Sequence, residues 1–94
     1  MFDWDAANLA KIAAHHLAAV EVESAFLDPF AMDVASQEVD GEERQVLFGM
    51  TDNGTIIRVI FTDRGERVRV VTAHIATRGQ QRQYAQHRLE LLKG

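Results

Sequence analysis

The segment Arg67-Val-Arg-Val-Val-Thr-Ala-His-Ile75, continued by Ala76-Thr77-Arg78, decides the fold of this chain. Polar and apolar side chains alternate from Arg67 to Ile75, and this alternation predicts a β-strand that is buried on one face. Thr77 is followed three residues later by Gln80, the pattern of a capping box, which predicts that a helix begins there and runs to about Leu92. The first expectation is therefore a strand that leads directly into the C-terminal helix.

Two further strands are predicted upstream, each joined to the next by a tight turn. Asp52-Asn53-Gly54 is a strong hairpin signal between strands at 44–51 and 55–62. Asp63-Arg64-Gly65-Glu66 is a second tight connection. We therefore expect an antiparallel meander in which Arg67–Ile75 is an inner strand and Arg69 is partly exposed beside the end that carries His74. Strict alternation along that strand gives two faces: Arg67, Arg69, Val71, Ala73 and Ile75 on one, and Val68, Val70, Thr72 and His74 on the other.

Two helices are predicted before the sheet. Asp5 can cap the first, whose apolar positions recur at spacings of three and four. The second covers Val20–Leu27 and ends at Asp28-Pro29, because the residue before a proline is forced out of the helical region. Residues 30–34 can form a short strand, and the acidic residues 36–43 are expected to be an exposed loop. The predicted fold class is α+β, a single domain over residues 1–94 with two N-terminal helices, a small antiparallel sheet of three to four strands and one C-terminal helix.

Composition limits the function classes. The chain has 94 residues, enough for one core, and contains no cysteine, so disulfides, thiolate nucleophiles and thiolate metal sites are excluded. The apolar runs are too short for a spanning helix and the acidic start is unlike a signal peptide, so we expect a cytoplasmic protein without membrane contact. His15 and His16 are neighbours that point about 100° apart on a helix, and they cannot easily share one metal ion. We expect neither a metal nor another cofactor.

Charge is distributed unevenly along the chain. Residues 1–63 contain 12 acidic and 3 basic residues, a net charge of −9, whereas residues 64–94 contain 2 acidic and 7 basic residues, a net charge of +5. Such asymmetry indicates an anionic partner, for example RNA. The alternative is that the basic strand and helix only form ion pairs with acidic residues elsewhere in the fold.

RNA cleavage without a metal ion is the one reaction that this set of residues suggests. It requires a base for the ribose 2′-hydroxyl, an acid for the leaving oxygen and cations for the charged phosphorane. Histidine suits the proton transfers, and arginine suits the phosphate. The candidate catalytic residues are His74, Arg69, Arg78, Tyr84 and His15, and the candidate RNA-binding residues are Arg67 and Arg82. The alternative is a solvated strand end beside an ordinary polar helix face, which composition alone favours.

The order of short motifs along the chain resembles the BrnT family, toxins of bacterial toxin–antitoxin pairs within the RelE-like group of small ribonucleases. The similarity spans nearly all of the sequence, and its strength lies in the order and spacing of the motifs. The matching segments are Phe2-Asp3-Trp4-Asp5, Asn8, Ala14-His15-His16-Leu17, Glu21 to Pro29, Glu42-Glu43-Arg44, Gly49, Asn53 to Thr62, Arg69 to Thr77, and Tyr84. The resemblance implies a RelE-like fold, RNA cleavage without a metal, and a small DNA-binding antitoxin as partner; it leaves open whether the chain forms a homo-oligomer.

The departures from the family pattern fall mostly at charged positions. His74 stands where the family has arginine, and Gln80-Gln81 where it has a Glu-Arg pair. Ala14 replaces a lysine, and His16 replaces a glycine. Two interpretations follow: His74 supplies a proton-transfer group that arginine cannot, or cleavage has been lost and the chain is a catalytically silent module that contacts protein or RNA.

Overall fold

A computed structural model describes residues 1–94, and it confirms the predicted α+β class. Two helices, four strands and a final helix follow one another along the chain. Their bounds are α1 Ala6–Ala14, α2 Ala19–Phe26, β1 Met32–Val39, β2 Glu42–Met50, β3 Ile56–Arg64, β4 Arg67–Ile75 and α3 Arg78–Lys93. No helix is both long enough and apolar enough to cross a membrane.

The four strands form one antiparallel sheet in the order β1-β2-β3-β4, so β4 is an edge strand. The prediction that Arg67–Ile75 is an inner strand is therefore wrong. The chain start covers part of the free edge instead: Asp3 N–H donates to Val68 O at 2.9 Å, and Val68 N–H donates to Met1 O at 2.7 Å. This parallel bridge between Phe2 and Val68 satisfies backbone groups that an uncovered edge would leave unpaired.

The prediction of a loop over residues 36–43 is also wrong. Strands β1 and β2 pair continuously from Ala35 to Val39 and are joined by the two residues Asp40 and Gly41. Both have positive φ angles, 51° and 79°. Two-residue hairpin turns of type I′ require positive φ at both positions, and Asp-Gly favours that conformation. The acidic composition of residues 36–43 led to the prediction of a loop, although the dipeptide Asp40-Gly41 is itself a hairpin signal.

Both predicted helix caps are present. Asp5 accepts a hydrogen bond from Asn8 N–H at 2.8 Å at the start of α1. Thr77 and Gln80 form the reciprocal capping box at the start of α3, with distances of 3.2 and 3.0 Å. The cap at Thr77 fixes the point at which the chain leaves the sheet.

Helix α1 ends in a Schellman motif although no glycine marks its end. Leu17 N–H donates to Ile12 O, His16 N–H donates to Ala13 O, and the side chains of Leu17 and Ile12 are both in the core. His16 has a φ of 64°, in the left-handed region that favours glycine. The resemblance stated from the sequence has a glycine at this position, and a left-handed φ is what such a glycine would adopt.

The sheet has two apolar faces of unequal size. Helices α1 and α2 cover one face through a cluster of ten buried residues, which includes Val22, Ala25, Ile57 and Val59. Helix α3 covers the other face through a cluster of only three buried residues, which are Val46, Phe48 and Tyr84. We call these the double-helix face and the single-helix face.

A β-bulge in β4 changes which side chains share a face. Ile60 pairs with Thr72 and Phe61 pairs with Val70, which leaves Val71 without a partner on β3. Val70 and Ala73 consequently both lie in the larger core, three positions apart. The sequence analysis, which assumed strict alternation, placed these two residues on opposite faces. That prediction is wrong, because the extra residue Val71 shifts the alternation by one position.

Candidate functional site

Two of the predicted catalytic residues meet at the end of β4. The ring centroids of His15 and His74 lie 5.9 Å apart, with the ring planes tilted by 56°. His15 caps the C-terminus of α1, and His74 lies one residue before the end of β4. Because α1 packs along this edge strand, two side chains 59 positions apart in the sequence become neighbours.

A hydrogen bond to the backbone favours one tautomer of His74. Nδ1 of His74 lies 2.8 Å from the carbonyl oxygen of Ile75. A carbonyl oxygen only accepts, so Nδ1 carries the proton, and Nε2 of the neutral ring is left with a free lone pair. In this tautomer Nε2 is the ring nitrogen that can accept a proton.

Arg58 is a neighbour of His74 that the sequence analysis did not identify. The register pairs Arg58 with His74 across β3 and β4, and cross-strand partners share a face of the sheet. Arg58 is half-buried and forms no ion pair. Counting back from the turn that pairs Arg64 with Arg67 would place Ala73 opposite Arg58, and only the bulge moves His74 into that position.

Two more cationic residues are close to the histidines along the chain, one on α1 and one at the start of α3. Lys11 lies one helical turn before His15 on α1, and Arg78 is the first residue of α3, four residues after His74. Arg78 is exposed and forms no ion pair. The N-terminus of α3 begins beside it, and helix N-termini favour negative charge.

Arg69 lies apart from the histidine pair and is already neutralised. Its guanidinium group contacts the Asp5 carboxylate at 2.5 Å and the Asp3 carboxylate at 3.7 Å. The N–H of Asn8 and the Arg69 cation together hold the pKa of Asp5 below its usual value. The side chain of Arg69 is 30% exposed, which confirms the predicted partial exposure. However, it lies five positions from His74 along β4, about 16 Å at 3.3 Å per residue.

The two predicted RNA-binding arginines lie on different elements. Arg67 is exposed at the start of β4, opposite Arg64. Arg82 is exposed on α3 in an open groove that also contains Gln83 and His87. Neither arginine forms an ion pair. The alternative explanation of the charge asymmetry therefore holds for Arg64, which contacts Glu42 at 3.1 Å, and for Arg69, but not for these two.

Tyr84 is buried and fully engaged in a structural network. Only 1% of it is exposed, and its hydroxyl donates to the Asp28 carboxylate at 2.5 Å. Asp28 also accepts from the N–H groups of Phe30 and Met50, at 2.9 and 2.8 Å. Burial and the Asp28 hydrogen bond raise the pKa of Tyr84 to about 12. Burial alone would raise the pKa of Asp28, but its three hydrogen bonds lower it. The structure therefore does not bring the Tyr84 hydroxyl together with the exposed His15.

Nothing in the chain resembles a metal centre, since no group of three or more potential metal ligands is present. The arrangement that remains is a surface pair of imidazoles with unpaired cations on the adjoining strand and helix. In such a pair, one imidazole can accept a proton from an attacking hydroxyl while the other donates a proton to the leaving group.

Comparison with known proteins gives one family match. The family model described as "Ribonuclease toxin, BrnT, of type II toxin-antitoxin system" matches residues 4–80. The match extends from Trp4 to the first turn of α3 and includes His15 and His74. No curated protein matches the chain.

Proposed function

The chain belongs to the BrnT family of ribonuclease toxins of type II toxin–antitoxin systems, and on that premise we propose that it cleaves RNA without a metal ion, with His15 and His74 as the proton-transfer pair. The observation that carries the proposal is the separation of 5.9 Å between the two rings. In this proposal the phosphodiester spans the pair, with its 2′-hydroxyl at one ring and its leaving oxygen at the other. We therefore assign the reaction to general acid–base chemistry.

His74 is the proposed base. Its Nε2 accepts the proton of the ribose 2′-hydroxyl, whose oxygen then attacks phosphorus. His15 is the proposed acid, and it gives a proton to the 5′-oxygen as the P–O bond breaks, which leaves a 2′,3′-cyclic phosphate and a 5′-hydroxyl. His15 is placed for this role at the C-cap of α1, beside His74.

The negative charge that develops on phosphorus needs cations that are not already neutralised. Arg58 is the proposed contact from the sheet, since it pairs across the strands with His74. Arg78 and the first N–H groups of α3 are the proposed contacts from the helix. Arg67 and Arg82 would bind the RNA backbone further along, and Arg69 would hold the N-terminal segment in place.

The remaining parts of the proposal follow from the family. The partner is a small DNA-binding antitoxin, the substrate is RNA in the cytoplasm, and the fold is RelE-like. Residues 1–94 act as one domain in this proposal.

A second candidate function is a catalytically silent domain that binds protein or RNA. The observation that favours it is Arg69, because its charge is neutralised by Asp3 and Asp5 and it is not free for a phosphate. In that case His74 marks the loss of a catalytic arginine.

Cleavage of a labelled RNA by the purified chain tests the proposal. We expect His74→Ala and His15→Ala each to lower the rate about 10²–10⁴-fold, the usual contribution of a proton-transfer group. Gln37→Ala is the control, because Gln37 is exposed on β1, the edge strand on the opposite side of the sheet from β4, and its loss should leave the rate unchanged.

Two results would contradict the proposal. If His74→Ala cleaves as fast as the wild type, the histidine has no catalytic role. If the wild type is inert and His74→Arg cleaves, the catalytically silent domain is the correct description.

A further inference from the structure

Helix α3 leaves an apolar surface uncovered on the single-helix face. Leu89 is 48% exposed and Leu92 is 63% exposed, and they lie three positions apart on one side of the helix. Together with Met50 and Ile56 from the sheet they line an open groove of about 470 Å³. We call this surface, completed by Tyr84, Ala85 and Arg88, the α3 groove.

The α3 groove is continuous with the core but is not closed by the chain itself. Tyr84 is the one buried residue of the sixteen in α3, so the second half of the helix lies on the sheet without being covered. Isolated exposed leucines are ordinary on soluble proteins, whereas a contiguous group of them around a groove marks an interaction surface. A groove formed by a helix and the ends of two inner strands suits the apolar side of another helix.

The charge around the groove selects the kind of partner. Arg88 is the only charged residue that lines it. Helix α3 as a whole contains Arg78, Arg82, Arg88 and Lys93 against Glu90, a net charge of +3. A second copy of α3 would bring like charge to the same surface, so a symmetric dimer through this groove is disfavoured.

We propose that the α3 groove is a docking site for an amphipathic helical segment of the antitoxin, with leucine-like residues on one side and acidic residues beside them. The assignment to the antitoxin rests on the proposed function, since a toxin of this family implies such a partner. The apolar side of the segment covers Leu89, Leu92, Met50 and Ile56, and its carboxylates lie next to Arg88 and Lys93. The lining of the groove comes from α3, β2 and β3, and it includes neither His15 nor His74.

Two synthetic helical peptides of about 16 residues, or four turns, test the surface directly. Both have leucine at the spacings i, i+3, i+4 and i+7, and one carries glutamate and the other lysine at the flanking positions. Fluorescence anisotropy measures their affinity for the full chain. We expect the glutamate peptide to bind about tenfold or more tightly than the lysine peptide, and the methyl NMR signals of Met50 and Ile56 to shift on binding.

The double variant Leu89→Ser/Leu92→Ser should weaken the glutamate peptide about tenfold. The control is Val20→Ser on α2, which removes an apolar side chain that is 68% exposed but lies far from the groove. Because all three side chains are exposed, the variants keep the fold, and the NMR shifts in the wild type locate the site without any variant.

The proposal is overturned if the glutamate peptide does not bind, if both peptides bind equally, or if the double variant binds like the wild type. It is also overturned if sedimentation detects a dimer of the wild type that Leu89→Ser/Leu92→Ser abolishes, because a second copy then occupies the groove. None of these measurements uses RNA. A chain that binds the peptide and fails to cleave RNA contradicts the proposed reaction while leaving the surface intact.

Discussion

The two faces of the sheet are built from the same strands and differ in how completely helices close them. On the double-helix face, Val22, Ala25, Ile57, Val59 and Ala73 are fully buried. On the single-helix face, Ile56 and Ile60 remain half-buried and the leucines of α3 are exposed. One face therefore supplies most of the hydrophobic stabilisation, and the other retains surface for contacts with other molecules.

The charged residues follow the same division. Arg58 and His74 project on the face that α3 only partly covers. Each is next in sequence to a residue buried on the other face, Val59 or Ala73, and neighbouring residues in a strand point to opposite faces. A phosphate needs access to cations that are not sealed in a core. Incomplete closure of this face thus leaves His74 accessible, and His15 of α1 meets it at the edge strand β4.

The largest expected effect compares two adjacent isoleucines on opposite faces. Ile57→Ala removes a fully buried side chain from the larger core and should cost about 2–5 kcal/mol of unfolding free energy. Ile56→Ala removes a half-buried one and should cost about 1 kcal/mol. Denaturant unfolding of both variants measures the difference, and equal losses would break the distinction between the faces.

The second comparison uses two glycines. A Cβ added at Gly49 would lie 2.6 Å from the backbone oxygen of Ala25, because α2 packs directly on this strand position, so Gly49→Ala should cost about 1–3 kcal/mol. A Cβ at Gly79 meets nothing closer than Thr77 Oγ1 at 4.0 Å. Gly79→Ala should stabilise the chain by up to about 1 kcal/mol through helix propensity. Thermal unfolding measures whether each variant lowers or raises the melting temperature. An unchanged melting temperature for Gly49→Ala would mean that α2 is not packed against β2.

The third comparison concerns the one buried polar anchor of α3. Tyr84→Phe removes the hydrogen bond to Asp28 and should cost about 1–2 kcal/mol, since Asp28 keeps two backbone donors. Because the pKa of Tyr84 is raised on folding, its hydrogen bond contributes fully to the unfolding free energy below pH 10, where an unfolded tyrosine titrates. This contribution is lost as the pH rises to about 12. Unfolding free energies of wild type and variant should therefore converge between these pH values. A constant difference across that range would contradict the role of the hydroxyl.

Much of the fold could be predicted because its signals are local. The caps at Asp5 and Thr77, the stop at Asp28-Pro29 and the turn at Asn53-Gly54 each depend on a few adjacent residues, and each is present. The order of the strands is not local. Alternation indicates a strand but not its neighbours, and that is why β4 was assigned to the interior of the sheet.

The candidate site was predicted only in part, for a related reason. His15 and His74 were named separately, but their contact depends on α1 lying along β4, which no motif in either segment specifies. Arg58 was missed because a single bulged residue, Val71, shifts the register by one. Tyr84 matched a family position, yet its burial against Asp28 depends on where α3 crosses the sheet.

The bridge between Phe2 and Val68 also orders events in time. The residues it joins are 66 positions apart, whereas the hairpins β1–β2, β2–β3 and β3–β4 join residues close in sequence. Closing a long loop costs chain entropy that short hairpins do not, so the meander should form early and the N-terminal segment should dock late. During synthesis the segment around Phe2 has no partner until β4 has left the ribosome. The imidazole pair also needs β4, so a nascent chain carries no assembled site until His74 and Arg78 have been made.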